Sequence, residues 1–372
     1  MIISLDNKKL RYSGRIDKKN PKRPEFIFPA SSLSFRFYGR RAALLVENRN
    51  ACWENYAGAI VDGVQKCWHL STDNEELCSD RNGMEILNTY AAGEGQMEIL
   101  LVEEDKDREH EILFFKRQDS CHELVLESLE LSEESILLDL PDRPPRRIEV
   151  YGDSVSAGEV SEAVEYTGKP DPVHHGEYSN SWYSYAWMTA RKLYAELHDI
   201  AQGGIPLLNG TGWVEPPVYP GMEFMWDKLH YHPRFKRAEQ WDFSQYTPHL
   251  VILAIGQNDS NPDDYMKDKS DGLRAAYWKY KYKQLVLNIR EKYPRAVILL
   301  TTTILEHDKG WDNAIEEVCQ EIGDSRILHF LYSRNGTGTP GHIRISEAEE
   351  MSQELVNYID HLTIPVWDDQ ET

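Results

Sequence analysis

The sequence predicts an all-β sandwich followed by an α/β domain built on a parallel sheet, and three observations predict it. Up to about residue 140, short β-prone runs are separated by Gly, Asn and Asp turns, with little 3.6-residue periodicity. After that point, near-continuous Val/Ile/Leu runs alternate with helical segments, the pattern of a parallel sheet covered on both faces. Between the two lies "PDRPPRR" (141–147), whose prolines and charges read as a linker. The division is therefore a sandwich over 1–140, a linker over 141–147 and the α/β domain over 148–372.

In the first part the strands are "FIFPASSLSFRFYG", alternating around Phe26, Phe28, Leu33, Phe35 and Phe37, then "AALLVENRN", "YAGAIVDG", "GQMEILLVEED" and "HEILFFKRQD". In the second, strands are expected at 148–152, 250–256, 296–305 and 326–331, with helices at 181–197, 273–293, 312–322 and 346–361. The second helix meets Tyr293-Pro294, where the restriction before proline ends it. Segment 200–248 is long, irregular and rich in Gly, Pro, Trp and Tyr, which marks a binding loop region.

At 372 residues either part is large enough to bury a core without staples or metals. A formal net charge of −21 argues against nucleic-acid binding, which calls for a basic footprint, and leaves neutral sugars as compatible partners. No apolar run is long enough for a membrane span, and the N-terminus has no signal-peptide pattern. The five cysteines are scattered, without CxxC spacing, and read as free thiols. The expected location is the cytoplasm.

In an open parallel sheet, sites form outside the carboxyl ends of the strands. Three polar clusters fall there: Gly152-Asp153-Ser154, Gly256-Gln257-Asn258-Asp259, and the stretch after 331 that carries His342 just before the last helix. A serine, an amide-rich turn and a histidine on one sheet edge are the components of acyl transfer. Asp153 reads as the cap of the turn and Asp259 as loop support. Gly336 to Gly341 spells G-x-G-x-x-G, but no βαβ unit follows, so it is not a dinucleotide site. Ser154 also lacks the G-x-S-x-G elbow, because Ser156 stands in place of the second glycine.

Gly-Asp-Ser after the first strand, Gly-x-Asn-Asp after a middle strand and a late His together resemble the SGNH (GDSL-type) hydrolases. The loop "DIAQGGIPLLNG" supplies the glycine block with Gly203 and Gly204. A β-sandwich opening with Tyr12-Ser-Gly-Arg15, and the run "QWDFSQYTPHLVILAIGQND" (240–259), make the whole chain similar to carbohydrate esterase family two. The resemblance implies a flavodoxin-like catalytic domain behind a jelly-roll-type sandwich. It implies Ser154 as nucleophile, His342 as base, and an oxyanion hole made of the Ser154 and Gly204 N–H groups with the Asn258 amide. The implied activity is removal of O-acetyl groups from plant-type xylo- or manno-oligosaccharides, with no cofactor and no metal. Another acyl ester hydrolase (a lipase or thioesterase), or a non-catalytic glycan-binding protein on this fold, are the alternatives.

The pattern departs at one place: such enzymes usually carry Asp three residues before the His, and here that position is Thr339. Orientation of His342 is left to a backbone carbonyl, to Thr339, or to a carboxylate from elsewhere in the chain. Trp213, Trp226 and Trp311 lie in loop-like stretches and are candidates for stacking on a sugar ring. His174-His175 and His230-Tyr-His232 lack metal-ligand spacing and read as solvated or substrate-lining residues. The sandwich is left with three possible roles: shaping the cleft, binding glycan or mediating homo-oligomer formation.

Overall fold

The computed structural model describes residues 1–71, 86–93, 95–216 and 218–368. Cys78 lies outside them; Cys52, Cys67, Cys121 and Cys319 are free thiols. The N-terminal part is a curled, largely antiparallel sheet of twelve strands among the described residues. Its frame is a pair of long strands, Ser32–Asn50 and Gln96–Lys116, aligned from Gln96 opposite Glu47 to Phe115 opposite Ser32. Each unites two runs that look separate in sequence. "FRFYG" and "AALLV" continue through Gly39, and "MEILLVEED" joins "HEILFF" across a slip in the ladder between Glu103 and Arg108. Charged residues at such a slip resemble a turn in sequence, whereas in the sheet they let one strand bend and continue. Alternation buries Leu33, Phe35, Phe37, Leu44 and Val46 against Trp68, Ile99 and Phe114.

The second part holds five parallel strands in the order Ala195–Ala201, Arg146–Gly152, Leu250–Ala254, Val297–Thr301 and Ile327–His329. Helices Leu273–Lys292 and Gly310–Ile322 pack into one core, and Tyr185–Lys192 and Ile345–Asp360 into the other. One expectation fails here. The helix over 181–197 stops at Lys192; Tyr194 turns at φ 49°, and Ala195–Ala201 is an edge strand. "AELHDIA" carries Glu, His and Asp, so it lacks the apolar run that reveals the inner strands. The strand expected from 148 begins two residues earlier, at Arg146. The described residues of segment 200–248 include a short helix, Met222–Met225, and a two-stranded ribbon, Lys228–His230 with Glu239–Gln240. No helix among the described residues is long and apolar enough to cross a membrane.

The two parts share buried surface: Ile27 and Phe28 enter one core of the α/β part, and Ala30 and Phe115 the other. Arg15 locks this junction. It is fully buried, donating to Trp226 O (2.8 Å), Lys228 O (2.9 Å) and the Tyr151 hydroxyl (3.2 Å), with Glu149 at 3.5 Å. His230 and His232 are buried here, contrary to expectation. His230 bonds Glu123 (2.7 Å) and Asp17 (3.0 Å), while Arg237 pairs with Asp17 and Glu25, so this acidic group has a cation of its own.

Removing one partner of a buried ion pair strands the other charge, a cost of about 3–5 kcal/mol. Arg15→Met is therefore expected to lower the unfolding free energy by about that amount in urea denaturation. Adding Glu149→Leu should recover most of the loss.

Candidate functional site

The first parallel strand ends at Gly152, and Asp153 caps the one-turn helix Ser154–Ala157. Gly152 permits the tight entry: a Cβ there would lie 2.0 Å from Ser156 Oγ. Asp153 Oδ1 accepts the Val155 N–H at 3.0 Å, as a capping residue should. Its Oδ2 also accepts from Gln257 Nε2 (2.7 Å) and Asn258 Nδ2 (3.0 Å), which ties this turn to the Asn block. Burial pushes the Asp153 carboxyl up to about 6, against the Val155 N–H and the charge of His342. Ser154 is at the first helical position, so its N–H is among the amides no helix carbonyl can reach. Its Oγ has no hydrogen-bond partner among the described residues, and Ser154 is 4% exposed.

Gly203 and Gly204 follow the edge strand. The Gly203 N–H donates to Asp119 Oδ2 at 2.8 Å, an acid supplied by the N-terminal sheet. Gly204 sits at φ 70°, and a Cβ there would lie 2.7 Å from Trp213 Cβ, so only glycine fits. Its N–H has no acceptor among the described residues. Asn258 stands on the 3-10 turn Gln257–Ser260, and its amide donates to Asp153 Oδ2 and to Ile205 O (3.1 Å). Asp259 accepts the Leu207 and Leu208 N–H groups at 2.6 and 3.0 Å, supporting the glycine loop.

His342 is oriented by Asp171, a residue the sequence did not single out. His342 Nδ1 meets Asp171 Oδ2 at 2.5 Å, and Asp171 Oδ1 accepts the His342 backbone N–H (2.9 Å) and Arg344 Nη2 (2.7 Å). A carboxylate only accepts, so Nδ1 carries the proton and Nε2 is left as the base. Thr339 takes no part; its Oγ1 is buried without a partner. The contact needs Gly341, where a Cβ would lie 2.6 Å from Lys169 O and 2.7 Å from Asp171 Oδ1. Burial alone would raise the Asp171 carboxyl, but His342 and Arg344 hold it well below the usual range. Burial likewise opposes the charged form of His342, yet Glu159, Asp171 and Asp153 raise it above its ordinary value.

These pieces border a cleft of about 440 Å3 lined by Gly204, Asn258, His342 and Asp171. Ser154 is not part of that lining. The N-terminal part adds Trp53, Asp119 and Cys121 to the walls. Trp213, 65% exposed, lines the cleft as well. Trp311 does not: it is fully buried in helix Gly310–Ile322, its indole N–H donating to Asp264 at 3.0 Å. Trp226 is also buried. Trp226 ends the short helix Met222–Met225 and Trp311 opens a full helix, and both pack into one core of the α/β part. His174 stacks on Trp53 at 5.3 Å.

The arrangement suits acyl transfer: a serine at a helix start, free N–H donors, an amide and an oriented imidazole. The Ser154–His342 hydrogen bond is not made, and such bonds commonly close only when substrate is bound. With His342 as the expected base, the neutral form is the active one and its pKa is raised, so kcat/KM for an ester should rise with pH along a limb above about 6.5. Asp171→Asn removes one raising charge and should move that limb to lower pH. It should also cut kcat/KM by about 10²–10⁴-fold, measured by initial rates across pH.

Residues 12–85 match the family model described as the carbohydrate esterase 2 N-terminal domain. The chain is 27% identical to an acetylxylan esterase / glucomannan deacetylase of Cellvibrio japonicus, over 95% of this chain and 88% of the relative. It is 25% identical to the cellulase/esterase CelE of Acetivibrio thermocellus, over 94% of this chain but 39% of that longer protein. Among solved structures, a family two carbohydrate esterase from Clostridium thermocellum in complex with cellohexaose superposes with a TM-score of 0.73 at 23% identity, covering 94% of this chain and 98% of that one. The fold, the matched N-terminal module and the near end-to-end likeness make this chain similar to the carbohydrate esterases of family two.

Proposed function

We propose that this protein is a serine esterase that removes O-acetyl groups from xylo- or manno-oligosaccharides, working in the cytoplasm. The observation that carries the reading is His342 with Nδ1 held by Asp171, in a cleft it shares with Gly204 and Asn258. Two of its relatives bear on the substrate: one is an acetylxylan esterase / glucomannan deacetylase and one was solved with cellohexaose. Trp213 and Trp53, half or more exposed on the cleft walls, supply flat apolar faces for a sugar ring. The free thiols support the location, and the two long bent strands support a jelly-roll-type arrangement of the N-terminal sheet.

In the reaction, Ser154 Oγ attacks the acetyl carbonyl carbon and gives its proton to His342 Nε2. The oxyanion that forms is met by the Ser154 and Gly204 N–H groups and by Asn258, which shares an amide hydrogen now aimed at Asp153 or Ile205. Each such donor contributes about 3–4 kcal/mol of transition-state stabilisation. The C–O bond to the sugar breaks, the sugar oxygen takes the proton from Nε2, and Ser154 is left acetylated. Water then attacks the acetyl carbon, passes a proton to Nε2, and acetate leaves as the proton returns to Ser154 Oγ.

NMR of acetylated xylo- and manno-oligosaccharides should show loss of acetyl signals with the wild type. Ser154→Ala should lower the rate by about 10⁴-fold or more. A Ser154→Ala protein as active as the wild type would overturn the assignment.

A further inference from the structure

Glu159 stands beside the base and takes no part in the steps above. Gly158, at φ 77°, turns the chain back so that the Glu159 N–H donates to Ser154 O at 2.9 Å. The side chain then enters the cleft and brings Oε2 to 4.0 Å from His342 Nε2. Its neighbour is Asp119. A Cβ at Gly203 would lie 2.4 Å from Glu159 Oε2 and 2.8 Å from Asp119 Oδ2, so the two oxygens converge on one point of the wall. The acids differ in what surrounds them. Asp119 accepts from the Cys121 N–H, Gln202 Nε2 and the Gly203 N–H. No donor among the described residues bonds the Glu159 carboxyl.

A carboxyl in a confined site without a donor is costly, and burial pushes this one up to about 7 against the pull of His342. A donor supplied by substrate would relieve that cost. The sugar oxygen that receives the proton from Nε2 must come within about 3 Å of it, on ground that Glu159 also borders. The donor carried next to that oxygen on a sugar ring is the neighbouring hydroxyl. Among the described residues, the cleft lining holds no Lys or Arg that could take Glu159 as a salt-bridge partner instead.

We propose that Glu159 contacts the substrate, accepting a hydrogen bond from the sugar hydroxyl adjacent to the ester, so that the site selects acetyl groups whose neighbouring hydroxyl is free. This rests on the esterase reading above. Asp119 serves as a positioning residue that holds Gly203, and with it the Gly204 N–H, against this wall.

The test compares two substrates: methyl 2-O-acetyl-xyloside with its 3-hydroxyl free, and the same ester with that hydroxyl methylated. 4-Nitrophenyl acetate serves as a sugar-free reference. The wild type should prefer the free hydroxyl by about ten-fold or more in kcat/KM, the scale of a hydrogen bond to a charged group. Glu159→Ala should reduce that preference to within about two-fold, and Glu159→Gln, which keeps one acceptor oxygen, should fall between. Should Glu159→Ala not fold, the reduced preference of Glu159→Gln carries the test. Variants that keep the full wild-type preference, or a wild type that cleaves both esters equally, overturn the role of Glu159 while the esterase reading stands. A wild type that cleaves neither the sugar esters nor 4-nitrophenyl acetate overturns the esterase reading and this inference with it.

Discussion

The Asp153 carboxylate is the interaction on which the site depends. One oxygen caps the turn that presents Ser154, and the other takes the side-chain amides of Gln257 and Asn258. A single buried group thus sets the distance between the Ser154 turn and the amide turn, which leave two adjacent strands of the sheet. The cost is a carboxyl pushed up to about 6 by burial. Asp153 binds its proton more tightly folded than unfolded, so its contribution declines as pH rises from about 4 to about 6. Positional accuracy is obtained here at some expense of stability, a common feature of functional sites.

Charge organises the other half of the site. Arg344 is buried at the start of the last helix and reaches Asp171, the His342 carbonyl and Ala163 O. It fixes Asp171 from behind while Asp171 fixes His342 in front. A carboxylate shared by a cation and an imidazole remains ionised, so the imidazole keeps its tautomer over a wide pH range. The N-terminal sheet is part of this construction. Asp119 holds the glycine loop, Trp53 and Cys121 reach the cleft walls, and Arg15 joins the sheet to the first parallel strand. Of the three roles left open for that sheet, shaping the cleft is the one these contacts support.

Much of this was legible in the sequence, and what was missed has identifiable causes. Inner strands such as Leu250–Ala254 and Val297–Thr301 are buried on both sides, so their apolar runs reveal them. The edge strand Ala195–Ala201 tolerates Glu, His and Asp, so in sequence it resembles the end of a helix. The long strands of the N-terminal sheet look like separate runs in sequence because polar residues at a bend resemble a turn. Trp311 looks loop-like in sequence because the start of its helix carries no side-chain cap.

The sequence by itself singles out Ser154, Gly204, Asn258 and His342 as candidates, because each sits beside the strand or helix boundary that its short motif also encodes. Asp171 and Glu159 belong to no such motif. Asp171 lies 171 positions from its histidine, in a loop whose composition says nothing of its target. Only the tertiary structure decides that contact: Gly341 leaves room for the 169–171 backbone, and Arg344 supplies the charge that holds the carboxylate there. Local chemistry is written in local sequence, whereas the pairing of two distant loops is set by packing and by the charge buried between them.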